Sequence, residues 1–362
     1  MMRPFLVLGV AIIALFALGQ PVAWVEAALV VWDVAAGGRP TWWQEVTPAP
    51  TMGEKKWPDG EGDLYMPDGD VRAALVLVPG AAVLGRDEPR LQSLARTLAR
   101  AGFLVLVPEL PEVRRLALSR LDAERVASAV RELRKGWPDL PIGIAAVSYA
   151  VAPAMIAALE TQPDYVLGIG GYRDAEAAIR FVTTGAFRVM GDSREHRVVP
   201  GAYGRWAFLL ANAGRLDSPA DAVLLEEIAR LRFGNPRADI GQFAHALGPQ
   251  GRAVLALIEN DDPDAVGRLI EALPVKVKRE IDGLNLALYD LSKLAGRLIL
   301  VHGKGDRLVP YSESQALAAA VPNAEVSLFL VDGLGHVDFN AVTVANGWTM
   351  WRAALALLDE RR

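Results

Sequence analysis

Two hydrophobic patterns alternate along the middle of the chain. Ala74–Val78, Phe103–Val107, Ile142–Val147 and Tyr165–Ile169 are apolar at nearly every position. Short runs without alternation predict strands buried on both faces of a sheet. Between them, Leu91, Leu94, Ala95 and Leu98 recur at helical spacing, as do Val126, Val130 and Leu133. Gly102 is placed to cap the first of these helices. Buried strands separated by amphipathic helices predict a mostly parallel, doubly wound sheet. Upstream, residues 42–72 carry the turn signals Pro58-Asp59-Gly60 and Pro67-Asp68-Gly69. These predict an antiparallel start to the sheet.

The alternation stops from about Asp174 to Ala295. There Leu209, Leu210, Leu216, Leu224, Leu225, Ile228 and Leu231 form one helical group, and Leu269, Ile270, Leu273 and Leu284 another, with no convincing strand. The sheet pattern resumes at Leu298–Val301 and Val326–Val331. The expected organisation is a core of residues 42–173 and 296–362 with a helical insertion at 174–295. Loops at the C-terminal ends of parallel strands converge on the ligand crevice, so an insertion launched there predicts a cap. A separate helical domain is the alternative.

Residues 1–36 form an N-terminal hydrophobic segment. Pro4 to Val25 is apolar apart from Gln20 and carries no charge. About 20 such residues are enough to span a bilayer as a helix. Arg3 before it, with Glu26 and Asp33 after, places the body outside the cytoplasm, in the periplasm or exterior. A cleaved signal with Phe5–Gly19 as its apolar region and a buried N-terminal helix are the other readings. Ala27–Ala36, apolar except for Asp33, fits a helix on the membrane surface or a continuation of the span. Trp42 and Trp43 suit a membrane interface and a first strand about equally.

Composition narrows the classes. A net charge of −5 offers no basic footprint for nucleic acid. Cysteine is absent, and the four histidines (His196, His245, His302, His336) lack the spacing of a zinc pair. No metal or cofactor is expected.

The candidate chemistry sits at strand ends. Ala146-Val147-Ser148-Tyr149-Ala150 joins the strand Ile142–Val147 to an apolar helix running to about Leu159. That is the setting of a nucleophile elbow, where a sharp turn presents a serine hydroxyl. The small flanking residues are alanines where glycines are usual, so the pentapeptide alone is a weak signal. Gly303-Lys304-Gly305-Asp306 follows the predicted strand Leu298–Val301, and Gly333-Leu334-Gly335-His336 follows Val326–Val331. A serine needs a base, and the base an orienting acid. Ser148, Asp306 and His336 fit those roles, each past its own strand. Backbone amides of Tyr149 and of Ala81, in the loop Pro79-Gly80-Ala81, are the candidate oxyanion donors. Asp174 is a reserve acid, Asp332 lies too close to His336 in sequence to be preferred, and His302 reads as structural.

Over about Trp57 to Leu358 the chain resembles the α/β-hydrolase superfamily. Leu75-Val76-Leu77-Val78-Pro79-Gly80 looks like its strand and oxyanion loop, with Pro79 where histidine is frequent. His302-Gly303-Lys304-Gly305-Asp306-Arg307-Leu308-Val309-Pro310 is similar to its acid loop, and Gly333-Leu334-Gly335-His336 to its histidine loop. Leu64-Tyr65-Met66-Pro67-Asp68-Gly69 is similar to the early hairpin of dienelactone-hydrolase-like and prolyl-peptidase-like members. The resemblance implies an α/β-hydrolase fold with a helical cap, acyl-transfer chemistry and no cofactor. The expected function is hydrolysis of a small-molecule carboxylic ester or related acyl bond by a membrane-tethered enzyme. A catalytically silent tethered binding protein and an acyltransferase are the alternatives.

Overall fold

The computed structural model describes residues 21–361, apart from 116, 118 and 337–343. Its main sheet has the strands β1 (Thr51–Trp57), β2 (Gly60–Met66), β3 (Ala73–Val78), β4 (Phe103–Pro108), β5 (Ile142–Val147), β6 (Tyr165–Ile169), β9 (Arg297–Gly303) and β10 (Val326–Val331). Their order across the sheet is β1-β2-β4-β3-β5-β6-β9-β10. β1 and β2 form the expected hairpin, and β2 runs antiparallel to β4. From β4 through β10 the neighbours are parallel.

Strand alternation sends side chains to two separate cores. Ala74, Val76 and Val78 face helices Leu121–Gly136 and Val151–Thr161. Ala73, Leu75 and Leu77 face helices Pro21–Ala36, Pro89–Arg100 and Val344–Leu358. A sheet covered on both sides needs strands apolar throughout, as the sequence pattern implied.

Three expectations are corrected at the N-terminal side. Residues 4–20 of the apolar stretch lie outside the described residues. From Pro21 the chain is a helix packed on the body, so a membrane span does not continue through Val25. The indole of Trp351 donates to the Trp24 carbonyl at 2.8 Å. Among the described residues no helix is long and apolar enough to cross a membrane. Ala27–Ala36 is likewise docked, not laid on a membrane surface. Asp33, its one charged residue, is fully buried and accepts hydrogen bonds from Thr41 (2.5 Å), Gln44 (2.8 Å) and Thr97 (2.5 Å). Glu26 is held by Arg72 at 3.0 Å and by Arg361 at 2.7 Å. Third, Trp42 and Trp43 begin a short helix, Trp42–Val46, rather than a strand. Thr41 caps it, accepting from the Gln44 amide, and Trp43 is buried.

The insertion between β6 and β9 is helical, from Ala175–Thr184 to Val275–Gly283, as its periodicity indicated. It also holds two three-residue strands, β7 (Ala186–Arg188) and β8 (Glu195–Arg197), paired antiparallel. Runs that short leave no readable alternation. Buried Asp221 ties two of its helices together, accepting from the amides of Gly248 (2.5 Å) and Gly251 (2.9 Å).

Candidate active site

Ser148 directly follows β5 and opens a single tight turn before helix Val151–Thr161. Its φ is +60°, a region that L-residues other than glycine rarely enter. Such a conformation costs of order 1–3 kcal/mol and persists where surrounding packing enforces it. The turn aims the hydroxyl out of the sheet, near the positive end of the helix that follows.

The flanking alanines, Ala146 and Ala150, are both fully buried. The close approach of helix to sheet is made elsewhere. A Cβ on Gly171 would fall 2.4 Å from Val151 Cβ, and one on Gly168 3.0 Å from a Leu300 methyl. Gly168 and Gly171 therefore serve packing at the end of β6, while Gly170 between them takes a φ of +64°. On the other side, a Cβ on Gly80 would sit 3.2 Å from the Val147 carbonyl oxygen and 3.7 Å from Ser148 Cβ. This brings the loop after β3 against the elbow. Ala81 and Tyr149, the residues singled out as amide donors, both border the same cavity as Ser148 and His336.

The three side chains named from strand ends meet in a line. Ser148 Oγ lies 2.7 Å from His336 Nε2, and His336 Nδ1 lies 2.6 Å from Asp306 Oδ2. The second oxygen of Asp306 accepts from the amides of Leu308 (2.7 Å) and Val309 (2.9 Å). Burial alone would raise the Asp306 carboxyl. Hydrogen bonds from His302 and His336, and the charge those rings can carry, outweigh it and hold the group well below the usual carboxylate range. An ionised acid in that position fixes the imidazole with its unprotonated nitrogen toward serine.

His302 does more than fill space. Its Nε2 is 3.0 Å from the Val309 carbonyl and 3.4 Å from Asp306 Oδ2, while Nδ1 is 2.7 Å from Ser314 Oγ. Asp306 thus lies between two imidazoles. The sequence signal for this is the four-residue spacing of His302, near the end of β9, and Asp306 in the loop that follows. The reserve acid Asp174 is instead the cap of helix Ala175–Thr184, accepting from the amides of Glu176 and Ala177. Asp332 pairs with Lys304 at 2.9 Å on the surface. His196 contacts Asp192 at 3.0 Å, and His245 the Gly241 carbonyl at 2.6 Å, both in the insertion and away from Ser148.

Two cavities, each about 320 Å³, open on Ser148 and His336. One lies beneath the insertion, bounded by Tyr172, Ile179, Phe208 and Leu284. The other lies beside the loop after β3, bounded by Val34, Gly80, Leu91 and Leu94. Asp122 was not foreseen from sequence. It is fully buried and accepts from the Tyr149 hydroxyl at 2.9 Å. Burial pushes its carboxyl up to about 6, against the opposing effects of Tyr149 and Arg125. Among the described residues no group of three or more histidine, aspartate or glutamate side chains is arranged to hold a metal ion.

No protein-family model matches the chain. It is 23% identical over 279 residues to a monoacylglycerol lipase of Mycolicibacterium smegmatis, covering 77% of this chain and 86% of that protein. Among solved structures, it is similar to carboxyl esterase 2 of Tuber melanosporum (12% identity, 91% and 97% of the two chains, TM-score 0.49). It is also similar to the acylaminoacyl peptidase of Pyrococcus horikoshii (13% identity, TM-score 0.47), where it covers 86% of this chain but spans only 41% of the peptidase.

Proposed function

We infer that the chain, whose eight-stranded, mostly parallel sheet has the α/β-hydrolase order, is a serine hydrolase of carboxylic esters working through Ser148, His336 and Asp306. The observation that carries this reading is the pair of contacts at 2.7 and 2.6 Å joining the three side chains. His336 Nε2 takes the hydroxyl proton as Ser148 Oγ bonds to the acyl carbon. The amides of Ala81 and Tyr149 receive the developing oxyanion. As the C–O bond to the alcohol breaks, His336 returns the proton to the leaving oxygen. Water, deprotonated by His336, then attacks the acyl-serine and releases the acid and free Ser148. Asp306 stabilises the imidazolium in both steps. The helical insertion acts as the cap that shapes the acyl site.

Fluorophosphonate labelling tests the reading. The wild-type protein is expected to label and Ser148→Ala to lose the label. A folded wild-type protein that never labels would favour the silent binding protein. Placement of the body in the periplasm or exterior, with the apolar segment that begins at Pro4 as anchor or export signal, belongs to the same proposal. Fractionation of expressing cells checks it, and a protein confined to the cytosolic fraction would remove that part.

A further inference from the structure

We propose that the cleft walled by helix Pro21–Ala36 is the leaving-group subsite, taking an amphiphilic alcohol whose apolar part lies along Val34, Leu91 and Leu94. The proposal rests on the ester-hydrolase reading above. Each of the two cavities at Ser148, at about 320 Å³, lies at the lower end of the range for small-ligand pockets. Each therefore suits one arm of an ester rather than a whole large substrate.

Their chemistry differs. Beneath the insertion the walls are mostly apolar, and two of the polar groups there are turned to protein partners. Asn212 donates to the Phe208 carbonyl at 2.8 Å, and Arg215 faces Glu280 at 3.7 Å. The other cleft has an apolar floor of Val34, Leu91 and Leu94 and a rim of Arg90, Ser93 and Glu88, whose carboxylate caps helix Pro89–Arg100 by accepting from the Leu91 amide at 2.8 Å. Behind it a smaller apolar cavity of about 70 Å³ shares Val34, Leu94 and Val147, so the floor continues under the helix.

The reaction order assigns the arms. After acylation the alcohol departs while the acyl chain stays, and water must then reach the acyl carbon. The alcohol and the water use the same side of the carbonyl. A rim carrying a carboxylate, a guanidinium and a hydroxyl is hydrated and suits that traffic, and it suits the polar end of an alcohol. The apolar cavity under the insertion suits an acyl chain that remains through both steps. Helix Pro21–Ala36 thereby becomes a wall of the active site.

Two ester series measured on the full chain test this. One holds a butanoyl group and lengthens the alcohol from methyl to octyl; the other holds a p-nitrophenyl leaving group and lengthens the acyl chain. Val34→Trp fills the cleft and is expected to lower the octyl-to-methyl ratio of kcat/KM by about tenfold or more. Val34→Ala opens the cleft and moves that ratio the other way. The acyl-length profile keeps its shape in both variants. If Val34→Trp melts early, Ser93→Phe at the rim gives the same reading. A change confined to the acyl series, or no change of either ratio in folded variants, overturns the subsite. Absence of turnover and of fluorophosphonate labelling in the wild type would instead strike the hydrolase reading on which it stands.

Discussion

The hydroxyl of Tyr149 donates a 2.9 Å hydrogen bond to Oδ2 of Asp122, tying the residue after Ser148 to a fully buried carboxylate on helix Leu121–Gly136. Through this bond one side chain braces the backbone that carries the candidate oxyanion amide. Tyr149→Phe leaves a buried acceptor without its donor, at a cost of about 1–3 kcal/mol, which denaturant titration measures. The same variant should lose more in kcat than it gains in KM, because an oxyanion donor acts chiefly in the transition state. Equal activity in a destabilised variant would reduce the bond to a structural tie.

Asp122 also gives stability a pH signature. Its folded carboxyl lies near 6, raised by burial from 3.8, with Tyr149, Arg125 and Arg215 opposing the shift and Glu112 adding to it. Between those two values the folded state keeps a proton that the unfolded chain has released. Stability from this group is therefore present below the unfolded value and declines as pH rises through the window. Asp122→Asn lacks that proton exchange. Its stability relative to wild type should rise from pH 4 to pH 7, as compared by urea midpoints. A constant difference would show that Asp122 does not titrate there.

Asp306→Asn preserves the hydrogen-bonding shape of the acid loop but cannot hold the imidazole in the same tautomer or stabilise its cation. Turnover of an ester is expected to fall by roughly three to four orders of magnitude with the fold retained. The folded carboxyl is depressed, so its contribution to stability is present above the unfolded value and is lost as pH falls below it. The variant should consequently show a shallower loss of stability under acid conditions. Near-normal turnover would move the orienting role to another group.

Gly171 faces Val151 so closely that a methyl group has no room, with 2.4 Å between the would-be Cβ and Val151 Cβ. Gly171→Ala should overpack this contact at about 1–3 kcal/mol. Adding Val151→Ala should recover most of the loss. A thermal melt of the two variants decides it, and a neutral single variant would mean that the helix shifts freely away from β6.

Asp33 holds helix Pro21–Ala36 against the body through Thr41, Gln44 and Thr97. Asp33→Ala removes the acceptor that Thr41, Gln44 and Thr97 share, and a loss of about 1–3 kcal/mol is expected for the docking alone. Amide exchange should quicken first in residues 21–36. Uniform acceleration across the sheet would show that the helix is not a separately docked unit.

What the chain determined by itself was local and periodic. Uninterrupted apolar runs at β3, β4, β5 and β6 call for two-sided burial, and the hairpin β1–β2 follows from its turn residues. A serine, an aspartate and a histidine past three strand ends gave the candidate site because the ends of parallel strands share one rim. Tertiary structure decided the rest. Asp33 looks like a flaw in an apolar helix until Thr41, Gln44 and Thr97 surround it. Asp122 looks like a first-turn acid on a surface helix until Tyr149 reaches it. The helix Trp42–Val46 depends on the Thr41 cap, and Thr41 on Asp33. Periodicity records which face of a segment is buried, but not which distant side chain it is buried against. The clefts beside Ser148 are spaces between elements, and their walls come from residues as far apart as Val34 and His336. Only packing of the whole chain sets such distances.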